Sequence, residues 1–196
     1  MAEVSQVTLV IGGVAAFLFV FFLFVGIWAS RYRKVGPDEV MIVSGRKYEM
    51  ITPEGKKAFA GFRIVRGGTF VWPIYEQAQT LSLKLIPLTL DRLAITAQDG
   101  KRLDVQGKGQ IKIKGDDVSV MRAAQSVLSK SPSEIAEAAS LIIESALRKL
   151  VQVRTADDAI RDADRLAEQA QSAAQKPLDE LGLEIVGFSI VSVNKA

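Results

Sequence analysis

From Val7 to Ala29 the chain carries 23 consecutive residues without a charge, and the run stops against Arg31, Arg33 and Lys34. A helix over that run is about 34 Å long at 1.5 Å per residue, enough to cross a hydrocarbon core of about 30 Å. Phe17, Phe19, Phe21, Phe22 and Phe24 bulk up its second half, and Trp28 and Tyr32 fall where interfacial aromatics belong. A cleaved signal peptide would want a basic leader, a shorter apolar stretch and a small-x-small site, whereas MAEVSQ holds one acid and no base. The pattern therefore predicts a retained membrane anchor, marked by Val7, Phe17, Phe21, Phe24, Trp28, Arg31, Arg33 and Lys34. By the positive-inside rule it crosses the plasma (cell inner) membrane once, with the C-terminal side in the cytoplasm. Residues 1–30 are thus tail and membrane helix, and 31–196 a separate domain.

Beyond the anchor the apolar period drops to two. Glu39 to Gly45 reads as a strand after the Gly36-Pro37 turn pair, and Phe62 to Val65 and Thr69 to Trp72 flank Gly67-Gly68 as a tight hairpin closed by Pro73. Leu81, Leu83 and Leu85 alternate, then the phase slips to Leu88 and Leu90 across Ile86-Pro87, which predicts a bulge or break there. Leu93 to Ala97 leads through Asp99-Gly100 into the clearest strand, Leu103 to Lys114. In it Leu103, Val105, Ile111 and Ile113 share a face with Gly107 and Gly109. Residues 31–114 are accordingly an antiparallel sheet.

After Gly115 the period changes to that of a helix. Val118, Met121 and Leu128 begin it, and Ser131-Pro132-Ser133-Glu134 is a capping box with proline at the first helical position. The helix it opens places Ile135, Ala138, Ala139, Ile142, Ile143, Ala146, Leu147 and Leu150 on one face, with Glu144 and Arg148 spaced to pair on the other. Thr155 caps a further helix bearing Ile160, Ala163, Ala167, Ala170 and Ala174, which Pro177 should kink or split. Gly182 then ends the helical part and Leu183 to Val191 is a closing strand. The order is membrane helix, antiparallel strands, helices with a final strand over 115–196: an α+β fold.

Composition changes this picture mainly by exclusion. With no Cys and no His the chain builds no usual zinc site, no cysteine nucleophile, no Ser-His-Asp relay and no thioester lipid anchor. The net charge of +3 hides an asymmetry: residues 31–114 hold 16 basic and 8 acidic side chains, residues 115–196 hold 9 and 13. Ser192-Val193-Asn194-Lys195 has the S-x-x-K spacing of a serine–lysine hydrolase, but it follows a strand and lacks a partner motif. Asp157, Asp158, Asp162 and Asp164 are accounted for by the positive end of a helix without a divalent cation. GKGQ lacks the helix and the Gly-Lys-Ser/Thr ending of a phosphate loop, and nothing points to nucleic acid. No catalytic, cofactor-binding or metal-binding residue is assigned.

VGPDEVMIVSG, RIVRGGTFVWPIYEQAQTLSLKLIPLTL, TAQDGKRLDVQGKGQIKI and LDELGLEIVGFSIVSV, in that order, resemble the flotillin branch of the stomatin/prohibitin/flotillin superfamily, the SPFH or band 7 domain, over nearly all of Val35 to Val193. The resemblance implies a non-enzymatic, flotillin-like scaffold of bacterial type. Such a protein is anchored among membrane lipids, assembles as a homo-oligomer, and organises membrane microdomains or membrane-protein clients. The family also suggests an alternative, a regulatory partner of a membrane protease complex. Flotillins continue into a long coiled coil of Glu-Ala repeats, so a chain ending at Ala196 implies a truncated form or a short relative that oligomerises through the domain itself.

Three surfaces carry the functional question. Lys108, Lys112 and Lys114, joined in the basic half by Lys56, Lys57, Arg63, Arg66, Lys101 and Arg102, either touch anionic headgroups or simply solvate a strand whose lysines deter edge pairing. Phe70 and Trp72 either dip into the membrane interface, as the resemblance suggests, or pack in the core. Ala163, Ala167, Ala170 and Ala174 either form an oligomer contact or pack within the domain.

Overall fold

The computed structural model describes residues 2–51, 57–72 and 75–195. Lys56 and Pro73, singled out above, lie outside the described residues. Helix α1 spans Ala2–Ala29 and begins earlier than the uncharged run, taking in Glu3. Among the described residues three antiparallel sheets follow. β1 (Tyr32–Lys34) pairs with β4 (Gly68–Phe70); β2 (Glu39–Ile51) lies between β3 (Lys57–Val65) and β5 (Gln77–Ser82); β7 (Arg102–Ile113) lies between β6 (Ile86–Thr96) and β8 (Leu183–Lys195). Helices α2 (Asp117–Ser126), α3 (Pro132–Gln152), α4 (Ala156–Arg161) and α5 (Ala163–Glu180) fill the chain between β7 and β8.

The core forms where α3 and α5 cover one face of the β6-β7-β8 sheet. Leu103, Val105, Ile111 and Ile113 from β7 meet Ile143 and Leu147 from α3 and Leu166, Ala170 and Leu178 from α5, all essentially without exposure. The strict alternation of β7 is thus spent as expected, with one face dry and the other bearing Asp104, Gln106, Lys108, Gln110 and Lys112. The two glycines on the dry face make room: Phe188 of β8 lies over them, and a Cβ on Gly107 would come within 2.8 Å of its ring. Gly182 (φ +76) ends the helical part against the Ser119 carbonyl and the Ala123 amide, a left-handed position that favours glycine and leaves no space for a side chain.

Local signals were mostly obeyed. Ser131 accepts from the Glu134 amide while the Glu134 carboxylate accepts from the Ser131 amide at 2.6 Å, a complete capping box that keeps Glu134 below the usual carboxylate range. The Asp99-Gly100 turn joins β6 to β7, but the break expected across Ile86-Pro87 is not there: Pro87 pairs in register with Gln110 inside β6, and the chain leaves the ladder earlier, at residues 83–85 between β5 and β6. A second irregularity falls between Leu90 and Leu93, where Arg92 has φ 41.

Four expectations need correction. Gly67-Gly68 does not close a hairpin: β3 pairs with β2 and β4 with β1, so the turn, with Gly67 at φ +93, carries the chain out of one sheet into another. β7 is the central strand of its sheet, so its lysines have no free edge to guard. The helix capped by Thr155 is split at Asp162 (φ −109, ψ 40) and not at Pro177, which lies inside α5 as it runs on to Glu180. Arg148 reaches the Ala94 carbonyl at 3.2 Å across the α3–β6 contact, in place of the expected pairing with Glu144.

Candidate membrane-interface site

Along the window Gly12–Ala29 no residue of α1 is buried, although Phe17, Phe19, Phe22 and Phe24 are each at least 60% exposed and would be strongly unfavourable in water. The helix ends at the domain rather than beside it. The Ser30 amide still bonds to the Gly26 carbonyl, and then the chain turns straight into β1, pairing Tyr32 with Phe70, Arg33 with Thr69 and Lys34 with Gly68. Two further bonds lock the corner: the Val71 amide donates to the Arg31 carbonyl at 3.3 Å and the Val35 amide to the Gly67 carbonyl at 2.8 Å.

That stitching brings a distant aromatic segment against the helix end. Ring centroids run Phe24–Trp28 5.8 Å, Trp28–Phe70 5.0 Å and Phe70–Trp72 5.6 Å, a continuous ladder from the apolar span into the domain. Phe70 and Trp72 therefore do not enter the core; Phe70 is half-buried against Trp28, and Trp72 remains 47% exposed. Phe24, Ile27, Trp28, Phe70, Trp72 and Tyr75 enclose a groove of about 280 Å³ with Arg31 at its rim.

A buried carboxylate holds the outer wall. Glu76 Oε2 accepts from the Trp72 amide at 3.0 Å, the Glu76 amide donates to the Trp72 carbonyl at 3.0 Å, and Arg63 lies 3.7 Å from the carboxylate. Arg63 also donates to the Phe70 carbonyl at 3.4 Å, so one ion pair fixes both aromatic positions. Tyr75, Glu76 and the role of Arg63 were not foreseen; the only signal was a lone acid four residues after Trp72 in an apolar stretch.

The basic residues divide sharply. Arg63 turns inward to Glu76; Arg66 pairs with Asp117 at 2.8 Å; Lys101 is shared by Asp99 and Asp157; Lys112 pairs with Glu184 at 2.9 Å. Among the described residues no carboxylate reaches ion-pair distance of Arg31, Arg33 or Lys34, and the Lys34 ammonium sits 5.7 Å from the Tyr32 ring. Lys108, in β7, and Lys114, just past the end of β7, are exposed, but that sheet is not the one that holds the aromatic strand.

Ala167, Ala170 and Ala174 are buried in the domain, packed between α5 and its neighbours, with Ala163 half-buried, so this stripe has almost no surface left for a second copy. Ser192 donates to the Gln106 side chain at 3.3 Å while Lys195 pairs with Asp157 at 2.6 Å, so both members of the S-x-x-K spacing are engaged elsewhere. Those bonds to Lys195 and then Lys101 hold Asp157 below its ordinary value, and Asp158 serves the Thr155 cap of α4.

Residues 33–195 match the family described as SPFH domain / Band 7 family. The Flotillin-like protein FloT of Bacillus subtilis (strain 168) is 31% identical over 178 residues, covering 89% of this chain and 35% of that protein. Flotillin-1 of Drosophila melanogaster is 26% identical over 158 residues (79% of this chain, 34% of the relative), and Flotillin-1 of Homo sapiens 28% over 160 residues (81% and 35%). The chain thus spans about a third of the length of these relatives.

Proposed function

The chain belongs to the SPFH domain / Band 7 family, and on that premise we propose that it is a non-enzymatic, flotillin-like membrane scaffold. Helix α1 crosses the plasma membrane once, the 31–196 domain lies on the cytoplasmic leaflet, and copies assemble side by side to organise lipids or membrane-protein clients. The observation that carries this reading is the apolar span of α1, unburied throughout Gly12–Ala29, running without a linker into an aromatic and basic collar. In water that surface would drive aggregation; in a bilayer its aromatics meet the interface and Arg31, Arg33 and Lys34 meet the headgroups.

The short rigid corner matters for scaffolding. Because the domain follows α1 without slack, anchoring fixes its height and orientation as well as its location, and confinement to two dimensions raises the effective concentration of neighbours so that weak lateral contacts suffice. Those contacts lie elsewhere than on the buried alanines of α5.

The mass of the detergent-solubilised protein by light scattering tests the scaffold: a large homomeric assembly is expected, and a monomer at micromolar concentration overturns it. Topology is read from single cysteines, since the chain has none. In intact cells Ser5→Cys should react with an impermeant maleimide and Ser133→Cys should not; the reverse pattern overturns the orientation.

A further inference from the structure

The groove at the end of α1 has two chemically different parts. Its walls are the rings of Phe24, Trp28, Phe70 and Trp72 with Ile27, and the hydrocarbon stem of Arg31 completes the lining, so that the charged head of Arg31 lies beyond the apolar wall. Phe24 and Ile27 belong to the span that faces lipid, being 60% and 59% exposed, so the groove opens along the helix into the bilayer and not only towards the cytoplasm. Its rim stands at the level where the apolar span gives way to Arg31, Arg33 and Lys34, the depth at which phospholipid phosphates lie.

We propose that this groove seats one anionic glycerophospholipid, with the upper part of an acyl chain against Trp28, Phe70 and Trp72 and the phosphate on Arg31. The proposal rests on the reading that α1 crosses the membrane, and it adds a discrete site to what would otherwise be a general attraction. Arginine suits the role: its planar fork offers parallel donors to two phosphate oxygens, and no carboxylate among the described residues competes for it. Glu76, the nearest buried acid, is occupied by Arg63 and the Trp72 amide. About 280 Å³ falls just below the usual range of ligand pockets, about 300–1,000 Å³, and suits part of a chain rather than a whole small molecule.

The two ends of the lipid contribute differently. Lipid tails are as apolar as the groove, so moving a chain from bilayer to groove gains only van der Waals packing against preordered rings. Selectivity therefore comes from the headgroup. An additional net negative charge close to Arg31, Arg33 and Lys34 favours binding by roughly fivefold per basic residue engaged. The site should choose anionic over zwitterionic lipid while being indifferent to small changes in chain length.

The chain holds only two tryptophans, and both line the groove, so selectively excited tryptophan fluorescence reports on it alone. The full chain is reconstituted in phosphatidylcholine vesicles containing equal mole fractions of tail-brominated phosphatidylglycerol or tail-brominated phosphatidylcholine. Trp28→Phe isolates Trp72, and Trp72→Phe isolates Trp28. Quenching of Trp72 at several-fold lower brominated phosphatidylglycerol than brominated phosphatidylcholine is the expected result. Arg31→Gln should erase that preference and Arg31→Lys should restore part of it, with quenching itself retained in both. Equal quenching by the two lipids overturns the phosphate site. Quenching of Trp28 without Trp72 overturns lipid occupancy of the groove but leaves the anchor intact, and so does Trp72 protection that grows with protein density, which points to a second copy. If neither tryptophan is quenched in the wild-type chain, the membrane-spanning reading fails instead.

Discussion

The collar at the end of α1 and the helix-backed sheet of β6, β7 and β8 are both built from apolar side chains, yet they face different solvents. In the sheet region Ile143, Leu147, Leu166, Leu178 and Leu103 have no measurable exposure, and alanines at Ala139, Ala170 and Ala174 let the layers approach closely. In the collar the aromatics are large and half open, with Trp28 at 54% and Trp72 at 47% exposure, and they are held by an ion pair and strand bonds rather than by enclosure. Burial makes the first region stable on its own. The second leaves Trp28 and Trp72 about half exposed among the described residues.

The strongest way to break the comparison is to truncate one apolar side chain in each region. Leu147→Ala should cost about 2–5 kcal/mol, read by denaturant unfolding of the detergent-solubilised protein, because the cavity it leaves is enclosed on all sides. Phe21→Ala, in the exposed span, should leave domain unfolding unchanged within about 0.5 kcal/mol. A comparable loss from both would mean that α1 folds back onto the domain.

Gly109→Ala tests the tightness of the sheet region from the other direction. The added Cβ would come 2.8 Å from the Gly187 carbonyl and 3.1 Å from the Phe188 ring, and since one obstacle is backbone the strand cannot yield cheaply. A loss of about 1–3 kcal/mol is expected from overpacking. In the collar the matching change is Glu76→Gln, which keeps the shape but removes the charge that faces Arg63. Because Arg63 is 34% exposed, water screens much of the pair, and the cost should be about 1 kcal/mol. Its sharper signature is a fall in the anisotropy of Trp72 in a Trp28→Phe background, since the charge on Glu76 strengthens its bond from the Trp72 amide and holds Arg63 against the Phe70 carbonyl. Unchanged anisotropy would show that the aromatic wall stands without it.

The two regions also differ in how far the sequence disclosed them. The capping box at Ser131, the alternation of Leu103 to Ile113 and the Asp99-Gly100 turn are decided by neighbours in sequence, and each took the form its spacing predicts. The β1–β4 ribbon is decided by partners far apart: Tyr32 meets Phe70 through strands of three residues, too short to show a period. Hence the Gly67-Gly68 signal gave the turn but the wrong partner. The same gap hid Glu76, whose meaning depends on Arg63 arriving from β3. The irregularity near Arg92 was present as the three-residue step from Leu90 to Leu93, an interval that strict alternation cannot produce. Pro177 does not split the helix as its residue type suggests: it falls in the last turn of α5, followed by the buried Leu178, while the split falls at Asp162, which no proline or glycine marks.

The smallest expected effect concerns how the sheet region is closed. Asp157, at the start of α4, accepts from Lys195 near the end of β8 at 2.6 Å and from Lys101 in the turn before β7 at 3.4 Å, so it ties three separated segments together at the surface. These bonds, Lys195 first, lower its pKa, so the carboxylate binds a proton less readily in the folded chain than in the unfolded one. The stabilisation is therefore complete above the ordinary aspartate value of about 3.9 and is lost as pH falls through the lower folded value. Asp157→Asn should lower the thermal midpoint slightly at neutral pH, and the gap between the two proteins should shrink with acidification and with added salt, since all three partners are exposed. A gap that persists unchanged in strong acid would assign the effect to packing at the start of α4, and the surface tie would then have no part in holding β8 to the sheet.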